Sequence, residues 1–418
     1  MSAIEALSAL EILDSRGRPT VQVDCRLASG AQATASVPSG ASTGQAEAVE
    51  LRDGDAARYG GLGCLKAVHN VTTSIQTVFK GKAFATQADL DNALLELDGT
   101  KNKANLGANA ILGVSLAFAR AQAQENNVPL YAHFATMAGL TLEYLPRLTV
   151  NLFSGGKHAG GQVVIQDVLL VPKSAQSIDT SLVMTYAVLQ SATKLLETSY
   201  EMRPLKADEG GLAPAFASEE AMVQDAVTAI EQAGLKAGED MGLAIDVAAS
   251  HFYSGGRYHL GDKHLSADAM IAQLKAWLER YPVMSLEDGL AEEDWANWTK
   301  LTTTLGGKSL ILGDDFLCTN PARIRKAAAS KAANALLLKV NQIGTLTEAL
   351  EALGLARTNA WQVVVSARSG ETEDNWLADL ATGWQVDYIK VGSIQQSERL
   401  AKYNRLLAIE AETQLGLK

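Results

Sequence analysis

The chain has 418 residues, of which 36 are Lys or Arg and 47 are Asp or Glu, so its formal net charge at pH 7 is −11. Such an acidic balance argues against sequence-independent binding of nucleic acid or of an anionic membrane surface, and neither is expected as a partner. The 35 glycines and 9 prolines are too few for a collagen-like or low-complexity protein. The length fits an α/β barrel of about 250 residues joined to a smaller domain.

The cysteines and the N-terminus bear on the cellular compartment. Cys25, Cys64 and Cys318 are far apart in the sequence and are expected to be reduced thiols. The first residues lack the basic and apolar regions of a secretory signal, and no stretch reaches the length of about 18 apolar residues that a membrane helix needs. The sequence therefore predicts a cytoplasmic protein.

The N-terminal third begins with an alternating pattern. Residues 4–37 alternate apolar and polar side chains around two turn-like breaks, which predicts a three-stranded antiparallel meander. Apolar residues then recur three and four positions apart, which predicts helices at 46–53, 65–77, 87–97 and 105–125. Gly139 and Pro146 interrupt this periodicity, so we expect a small α+β domain at 1–137 and a second domain at 138–418.

In the second domain, short apolar runs alternate with amphipathic stretches, and six of the runs end at an ionisable residue. These residues are Asp246, Glu287, Asp314, Lys339, Arg368 and Lys390. Their spacing of 22 to 41 residues is close to the length of one βα unit, so a closed barrel would place all six on the rim where barrel active sites lie. A doubly wound open sheet would also place them beyond the carboxyl ends of its strands.

The first three of these residues are carboxylates, which are oxygen ligands. Gathering Asp246, Glu287 and Asp314 without a cation would cost several kcal/mol of repulsion and desolvation, so the pattern favours a divalent metal site. Oxygen ligands without Cys or His favour Mg²⁺, with Mn²⁺ as a substitute. The alternative is that these acids pair with the neighbouring Lys and Arg side chains.

The last three residues of the set, Lys339, Arg368 and Lys390, would place cations on the same rim of an acidic protein, which suits an anionic substrate. Arg368 offers a planar fork that matches phosphate or carboxylate. A Lys held near a metal and other cations can lose its proton more readily and act as a base.

Ten segments of the chain, in order, resemble segments of the enolase family over nearly the whole length. They are Asp14-Ser-Arg-Gly17, Val37-Pro-Ser-Gly-Ala-Ser-Thr-Gly44, Glu50-Leu-Arg-Asp-Gly54, Glu96-Leu-Asp-Gly-Thr100, Asp208-Glu-Gly-Gly211, Asp246-Val-Ala-Ala-Ser250, Glu287-Asp-Gly-Leu-Ala-Glu292, Gly313-Asp-Asp315, Lys339-Val-Asn-Gln-Ile-Gly-Thr345 and Ser369-Gly-Glu-Thr-Glu-Asp374. The resemblance implies an α/β fold, in which an N-terminal α+β capping domain covers a modified TIM-like barrel whose second strand is antiparallel.

The resemblance also implies a glycolytic reaction, the dehydration of 2-phospho-D-glycerate to phosphoenolpyruvate. Lys339 would remove the proton from the carbon that bears the phosphate, giving an ene-diolate stabilised by two Mg²⁺ ions, and Glu209 would act as general acid for loss of the hydroxyl. The other implied roles are first-metal ligation by Asp246, Glu287 and Asp314, phosphate binding by Arg368 and Ser369, carboxylate binding by Lys390, catalytic positions for Asp167 and His158, substrate binding by Gln166, and both substrate binding and second-metal ligation by Ser42 in the lid. Homodimers, or octamers built from dimers, are implied as well.

Four positions differ from the family pattern. Ala367 stands where the family has His, Asp167 where it has Glu, Ser154 where it has Asn in Asn-Gly-Gly, and Arg18 where it has Asn before Pro. A shift of about 1 Å at a reacting group can cost about 10²-fold in rate, so the shorter carboxylate at Asp167 matters.

Three hypotheses follow from these differences. The first is an enolase that tolerates the changes. The second is an enolase-like dehydratase in which Ala367 and Asp167 leave room for a bulkier or phosphonate analogue of 2-phosphoglycerate. The third is a non-catalytic binding protein that keeps the fold.

Overall fold

The computed structural model describes residues 2–41 and 44–418. Its chain begins with three antiparallel strands in the order β1-β2-β3, which confirms the predicted meander. The strands are β1 (Ile4–Leu13), β2 (Pro19–Leu27) and β3 (Gln32–Ser36). A short 3₁₀ turn and the helices of this region follow: Tyr59–Gly61, α1 (Leu65–His69), a π-helical segment (Asn70–Ile75), α2 (Gln76–Phe79), α3 (Gln87–Asp98), α4 (Ala108–Glu125) and α5 (Leu130–Ala138).

The helices predicted at 65–77, 87–97 and 105–125 are thereby confirmed, but the helix predicted at 46–53 is wrong. That segment has no regular structure because its polar groups bond to distant parts of the chain. The backbone N–H of Ala48 donates to the carbonyl of Gln342 at 2.8 Å, and that of Val49 donates to the carbonyl of Asn102 at 2.8 Å. These bonds replace the i→i−4 bonds that a helix requires.

The second domain is a closed barrel of eight strands. In chain order they are β4 (Arg147–Ser154), β5 (Asp167–Pro172), β6 (Met241–Asp246), β10 (Val283–Glu287), β11 (Leu310–Gly313), β12 (Ala335–Leu338), β13 (Gln362–Ser366) and β14 (Tyr388–Lys390), and a separate three-stranded sheet of β7 (Tyr253–Ser254), β8 (Arg257–Leu260) and β9 (Lys263–Leu265) interrupts the series. β5 runs antiparallel to both β4 and β6, and the other barrel pairs are parallel. The closed barrel and its reversed second strand are confirmed, and the open-sheet alternative is excluded.

The helices of this domain lie between the strands in sequence. They are α6 (Ile178–Ser199), α7 (Glu219–Gln232), α8 (Ala267–Arg280), α9 (Trp295–Leu305), α10 (Pro321–Ser330), α11 (Val340–Ile343), α12 (Leu346–Thr358), α13 (Trp376–Gly383) and α14 (Ser397–Thr413), with 3₁₀ turns at Gly156–His158 and Ala249–Phe252. Leu312, Leu337 and Val364, which lie on barrel strands, belong to a small hydrophobic cluster that is separate from the main core. The ionisable residues of interest lie at the C-terminal ends of the strands, where the active sites of such barrels are found.

Polar contacts and buried side chains join the two domains. The backbone N–H and the hydroxyl of Thr347 donate to Asp91 at 2.9 and 2.6 Å, and the backbones of Ser39 and Gly370 exchange two hydrogen bonds of 2.8 and 2.9 Å. The Ser39–Gly370 contact ties the N-terminal domain to the segment that follows β13. The boundary expected after residue 137 stays a prediction; α5 ends at Ala138 and is capped by Gly139.

Cys25, Cys64 and Cys318 are buried free thiols. Among residues 2–41 and 44–418, none of the helices combines the length and the apolar content needed to cross a bilayer.

The packing of α13 on α5 predicts a strong effect at Gly383. A Cβ atom there would overlap the carbonyl oxygen of Tyr131 and lie 2.6 Å from Cβ of Phe134. We expect Gly383→Ala to lower the free energy of unfolding by about 1–3 kcal/mol, because the helices must separate to admit the methyl group. Denaturant titration measures the difference.

Gly354→Ala in α12 is the matched control, since no atom lies within 4 Å of the added methyl group. It should raise stability by at most about 1 kcal/mol through helix propensity. Equal effects of the two substitutions would contradict the tight α13–α5 contact.

Candidate active site

The six ionisable residues that end the apolar runs all lie at the C-terminal ends of parallel barrel strands. Asp246, Glu287 and Lys390 are the last residues of β6, β10 and β14. Asp314 and Lys339 directly follow β11 and β12, and Arg368 lies two residues beyond β13. All these side chains are buried or nearly so, so the pattern predicted from sequence forms one charged cluster at the barrel mouth.

Lys390 binds two of the expected metal ligands. Its Nζ donates to Glu287 Oε1 and Oε2 at 2.9 and 2.7 Å and to Asp246 Oδ2 at 3.1 Å. Burial, and next the charge of Asp246, raise the pKa of Glu287 well above its usual value. Burial also raises the pKa of Asp246, but Lys390, Glu287 and Lys339 together outweigh it and the net shift is downward. Lys390 therefore supplies positive charge to two buried carboxyl groups that lie close together.

Lys339 and Asp314 form the second ion pair of the mouth. Lys339 Nζ donates to Asp314 Oδ2, and the amide of Gln342 donates to Asp314 Oδ1 at 2.8 Å. Burial lowers the pKa of Lys339, but the carboxylates around it, chiefly Asp314 and then Glu287, together bring the pKa above its usual value. In this state Lys339 carries a proton and is paired with Asp314.

Two residues expected to bind the substrate contact the N-terminal domain. Both terminal nitrogens of Arg368 donate to the carboxylate of Glu47 at 3.3 Å, and Nη1 also donates to Asn341 Oδ1 at 2.8 Å. The hydroxyl of Ser369 accepts a hydrogen bond of 3.1 Å from Arg16. Ser42, expected in the lid and at the second metal, lies outside the described residues.

A third group lies on the side of the mouth formed by β4 and β5. His158 Nδ1 lies 3.0 Å from Asp167 Oδ2, and His158 Nε2 lies 3.9 Å from Glu209 Oε1. The hydroxyl of Ser154 donates to Asp167 Oδ1 at 2.6 Å, and the amide of Asn151 donates to Glu209 Oε2 at 3.1 Å. The structure thus brings His158, Asp167 and Glu209 together.

Gln166 faces the first carboxylate group. Its Nε2 donates to Asp246 Oδ2 at 3.1 Å, whereas its buried Oε1 has no hydrogen-bond partner within the part of the chain that the structure describes. A buried acceptor without a donor is suited to a polar ligand atom or an ordered water.

The expected metal ligands lie at the ends of neighbouring strands, where lysine side chains pair with them. Asp246, Glu287 and Asp314 end three adjacent strands and provide only oxygen atoms, which is the donor chemistry that Mg²⁺ prefers. Among residues 2–41 and 44–418, the sets of three potential ligands within 4.8 Å of one another are His158, Asp167 and Glu209, and Asp288, Asp314 and Asp315. Neither set is the predicted trio: of Asp246, Glu287 and Asp314, only Asp314 belongs to one of them. The oxygen atoms of the trio match the chemistry of Mg²⁺, but in this structure Lys390 pairs with Asp246 and Glu287, and Lys339 pairs with Asp314.

Several polar neighbours of the expected site residues were not predicted from the sequence. Glu47 fell in the segment wrongly predicted as a helix, and Asn151, Gln342 and Asp288 are polar residues within or beside apolar runs. Asp288 accepts backbone hydrogen bonds from Asp314 and Asp315 at 2.9 and 2.8 Å, which fixes the turn after β11. The sequence signal that could have identified these residues was a polar side chain within or beside an apolar run.

The fold and the site define a class of protein: an α/β barrel with one reversed strand, a covering N-terminal domain and ionisable groups gathered at the C-terminal mouth, as in barrel enzymes. Residues 143–417 match the family model described as "Enolase, C-terminal TIM barrel domain", and residues 4–134 match "Enolase, N-terminal domain". The chain belongs to the enolase family.

The ion pairs at the mouth predict that Lys390 is required for stability when divalent metal is absent. In EDTA, Lys390→Met should lower the free energy of unfolding by about 3–5 kcal/mol, because it leaves the buried Asp246 and Glu287 without their cation. If these carboxylates bind Mg²⁺, adding Mg²⁺ should reduce the deficit. Urea titration with and without Mg²⁺ measures both effects.

Lys236→Met serves as the control for this prediction. Lys236 and its partner Glu239 are each 74% exposed, so their ion pair contributes little. An equal loss of stability in the two variants would contradict the assigned role of Lys390.

Proposed function

We propose that this member of the enolase family is a Mg²⁺-dependent hydro-lyase that dehydrates 2-phospho-D-glycerate to phosphoenolpyruvate. The observation that carries the proposal is the arrangement of Lys339 and Glu209 around one charged barrel mouth. β12, which presents Lys339, is four strands from β5 in the eight-strand ring, and β5 presents the group around Glu209. A substrate over the centre of the mouth would have one group on each side.

The anionic parts of the substrate have cationic partners in the same place. Arg368 and Ser369 would bind the phosphate, and Lys390 would bind the carboxylate. Arg368 is buried, and its guanidinium already contacts an anion, Glu47, so a phosphate would take the place of a carboxylate partner. Gln166 adds an unsatisfied acceptor beside Asp246.

Magnesium bound by Asp246, Glu287 and Asp314, with Mn²⁺ as a substitute, would supply positive charge that stabilises negative charge developing on the substrate carboxylate. Residues of the chain would remove the proton and assist loss of the hydroxide. Lys339, once it is freed from Asp314, removes the proton from the carbon that bears the phosphate. Glu209 and His158, on the opposite side, assist loss of the hydroxide. A second Mg²⁺ is expected, with Ser42 as one ligand.

A specific observation supports a second candidate, a dehydratase for a bulkier or phosphonate analogue of 2-phosphoglycerate. Asp167 has both carboxylate oxygens engaged by Ser154 and His158, and Ala367 presents only a methyl group. The side of the pocket near the leaving hydroxyl is therefore smaller in side-chain volume, while the groups that would remove the proton are retained.

The test is an assay of the purified protein with Mg²⁺ and 2-phosphoglycerate, following both phosphoenolpyruvate formation and exchange of the α-proton with solvent deuterium. We expect turnover, and we expect Lys339→Met to lower both rates by at least about 10²-fold, since the base is lost. Lys331→Met, on the surface after α10, is the control and should leave both rates unchanged.

The other outcomes decide between the alternatives. Exchange that depends on Lys339, without useful formation of phosphoenolpyruvate, would favour the analogue dehydratase. Absence of both exchange and turnover would favour a non-catalytic binding protein.

We also propose a homodimer, alone or as the unit of an octamer, in the cytoplasm. Large apolar side chains are exposed on β1, at Leu10 and Leu13, and on α6, at Val183 and Tyr186. Val183 and Tyr186 are three residues apart and share one helix face. Exposed apolar pairs of this kind are typical of surfaces that another subunit covers.

Analytical ultracentrifugation should show a mass of at least twice the 44.3 kDa of one chain. Charge introduced by Leu10→Glu or Val183→Glu should shift the protein toward monomer, whereas Leu205→Glu, at another exposed leucine, should not. A monomeric wild-type protein at micromolar concentration would reject the dimer.

A further inference from the structure

Two histidines outside the barrel mouth face each other on the small sheet of β7, β8 and β9. His259 on β8 and His264 on β9 are direct partners in the antiparallel register. Their Nδ1 atoms are 2.6 Å apart, and their ring centroids are 4.7 Å apart with the ring planes at 80°. Each ring therefore directs one nitrogen at the same position.

The backbone of the hairpin sets this approach. Only Gly261 and Asp262 separate the paired residues Leu260 and Lys263, and Gly261 has the positive φ of 56° that a two-residue hairpin turn requires at its first central residue. Side chains directly opposite each other on antiparallel strands have Cβ atoms about 4.5–5.5 Å apart. The pairing of the two histidines thus follows from the register of a short hairpin.

Ser254 on β7 determines which nitrogen of His259 carries a hydrogen. The backbone carbonyl oxygen of Ser254 lies 3.3 Å from His259 Nε2, and its hydroxyl lies 2.9 Å from the same nitrogen. A carbonyl oxygen can only accept, so in the neutral ring Nε2 carries the hydrogen and Nδ1 carries the lone pair. A hydrogen bond on the far nitrogen is also what orients a histidine that ligates a metal. His259 is therefore held with its lone pair directed at His264.

We propose that His259 and His264 chelate a divalent transition metal of the Zn²⁺ type through their Nδ1 atoms. Imidazole nitrogen suits Zn²⁺, Cu²⁺ and Ni²⁺, whereas Mg²⁺ prefers oxygen, so this site differs in chemistry from the carboxylates of the barrel mouth. In the neutral metal-free pair, His264 Nδ1–H donates to His259 Nδ1. Metal binding requires His264 to carry its hydrogen on Nε2 instead.

The dimensions of the pair are compatible with a tetrahedral ion. Zn–N bonds of about 2.0–2.1 Å in tetrahedral geometry place two ligand nitrogens about 3.3 Å apart, so the rings must separate by about 0.7 Å from their 2.6 Å contact. His264 is exposed and His259 is partly buried, which leaves an entry path from solvent. Among residues 2–41 and 44–418, no third His, Cys, Asp or Glu ligand lies within 4.8 Å of both nitrogens, so water would complete the coordination.

The hairpin is attached to the segment that follows β10. The hydroxyl of Tyr258, next to His259, donates to Asp294 Oδ2 at 3.0 Å and accepts a hydrogen bond of 3.0 Å from the backbone N–H of Ala291. A metal ion across β8 and β9 would therefore stabilise the hairpin that holds this segment in place.

The first test is a calorimetric titration of the full-length protein with Zn²⁺, in excess Mg²⁺ so that Mg²⁺ competes for oxygen ligands. The wild-type protein should show one Zn²⁺ site that is lost, or weakened at least about 10–100-fold, in both His259→Gln and His264→Gln, since loss of a residue that merely orients a ligand already has an effect of that size. His69→Gln, at an exposed histidine on α1, is the matched control and should keep the site. Asp246→Asn, in the barrel mouth, should keep it as well.

Two results of this titration would overturn the proposal. One is a wild-type protein that binds no Zn²⁺ under these conditions. The other is the same number and affinity of Zn²⁺ sites in the wild-type protein and in the two hairpin variants, which would place the bound ion elsewhere.

The second test is hydrogen exchange of the backbone amides in β8 and β9. Zn²⁺ should slow this exchange in the wild-type protein and not in His264→Gln, because only the wild-type hairpin is linked by the ion. Lowering the pH should abolish the slowing, since protons compete with the metal for the imidazole nitrogens. Equal slowing in His264→Gln would contradict the site. Neither test depends on turnover, so both are independent of the proposed dehydration.

Discussion

An ion pair that crosses the barrel mouth is the interaction on which the rest of the site depends. Lys390 ends β14, and in the closed ring β14 is four strands away from β10, which presents Glu287. Lys390 nevertheless bonds both oxygens of Glu287, and it also bonds Asp246 on β6. The contact spans the ring, so it exists only because the sheet is closed. It also compensates carboxylates that would otherwise be buried together at high cost.

The same requirement explains the order of charges around the ring. Three adjacent strands, β6, β10 and β11, present acids, and the next three, β12, β13 and β14, present bases. Neighbouring acids alone would repel one another in a water-poor mouth, and opposite charges across or beside them remove that penalty. Ion pairing and metal binding, which the sequence left as alternatives, therefore concern the same carboxylates. The cations that pair with the acids in this structure are those expected to contact an anionic substrate.

The N-terminal domain completes the cluster from above the mouth. Glu47 binds Arg368, and Arg16 bonds both Asp14 and the hydroxyl of Ser369. Because such contacts join residues that are far apart in the sequence, the sequence predicted the barrel more accurately than the N-terminal domain. Strand-end charges such as Asp246 are set by local periodicity, which can be counted along the chain. The pairing of Glu47 with Arg368 joins residues 321 positions apart, and the irregular backbone around Glu47 is held by distant carbonyl groups rather than by its own helical pattern.

Two of the differences from the family pattern, Ser154 and Asp167, lie opposite each other on the neighbouring strands β4 and β5. Ser154 and Asp167 looked like independent changes in the sequence, but they are cross-strand partners that share a hydrogen bond. The carboxylate of Asp167 also bonds His158, whose other nitrogen faces Glu209. The two positions therefore act together: the Ser154 hydroxyl binds one oxygen of Asp167, and the other oxygen of Asp167 contacts the imidazole.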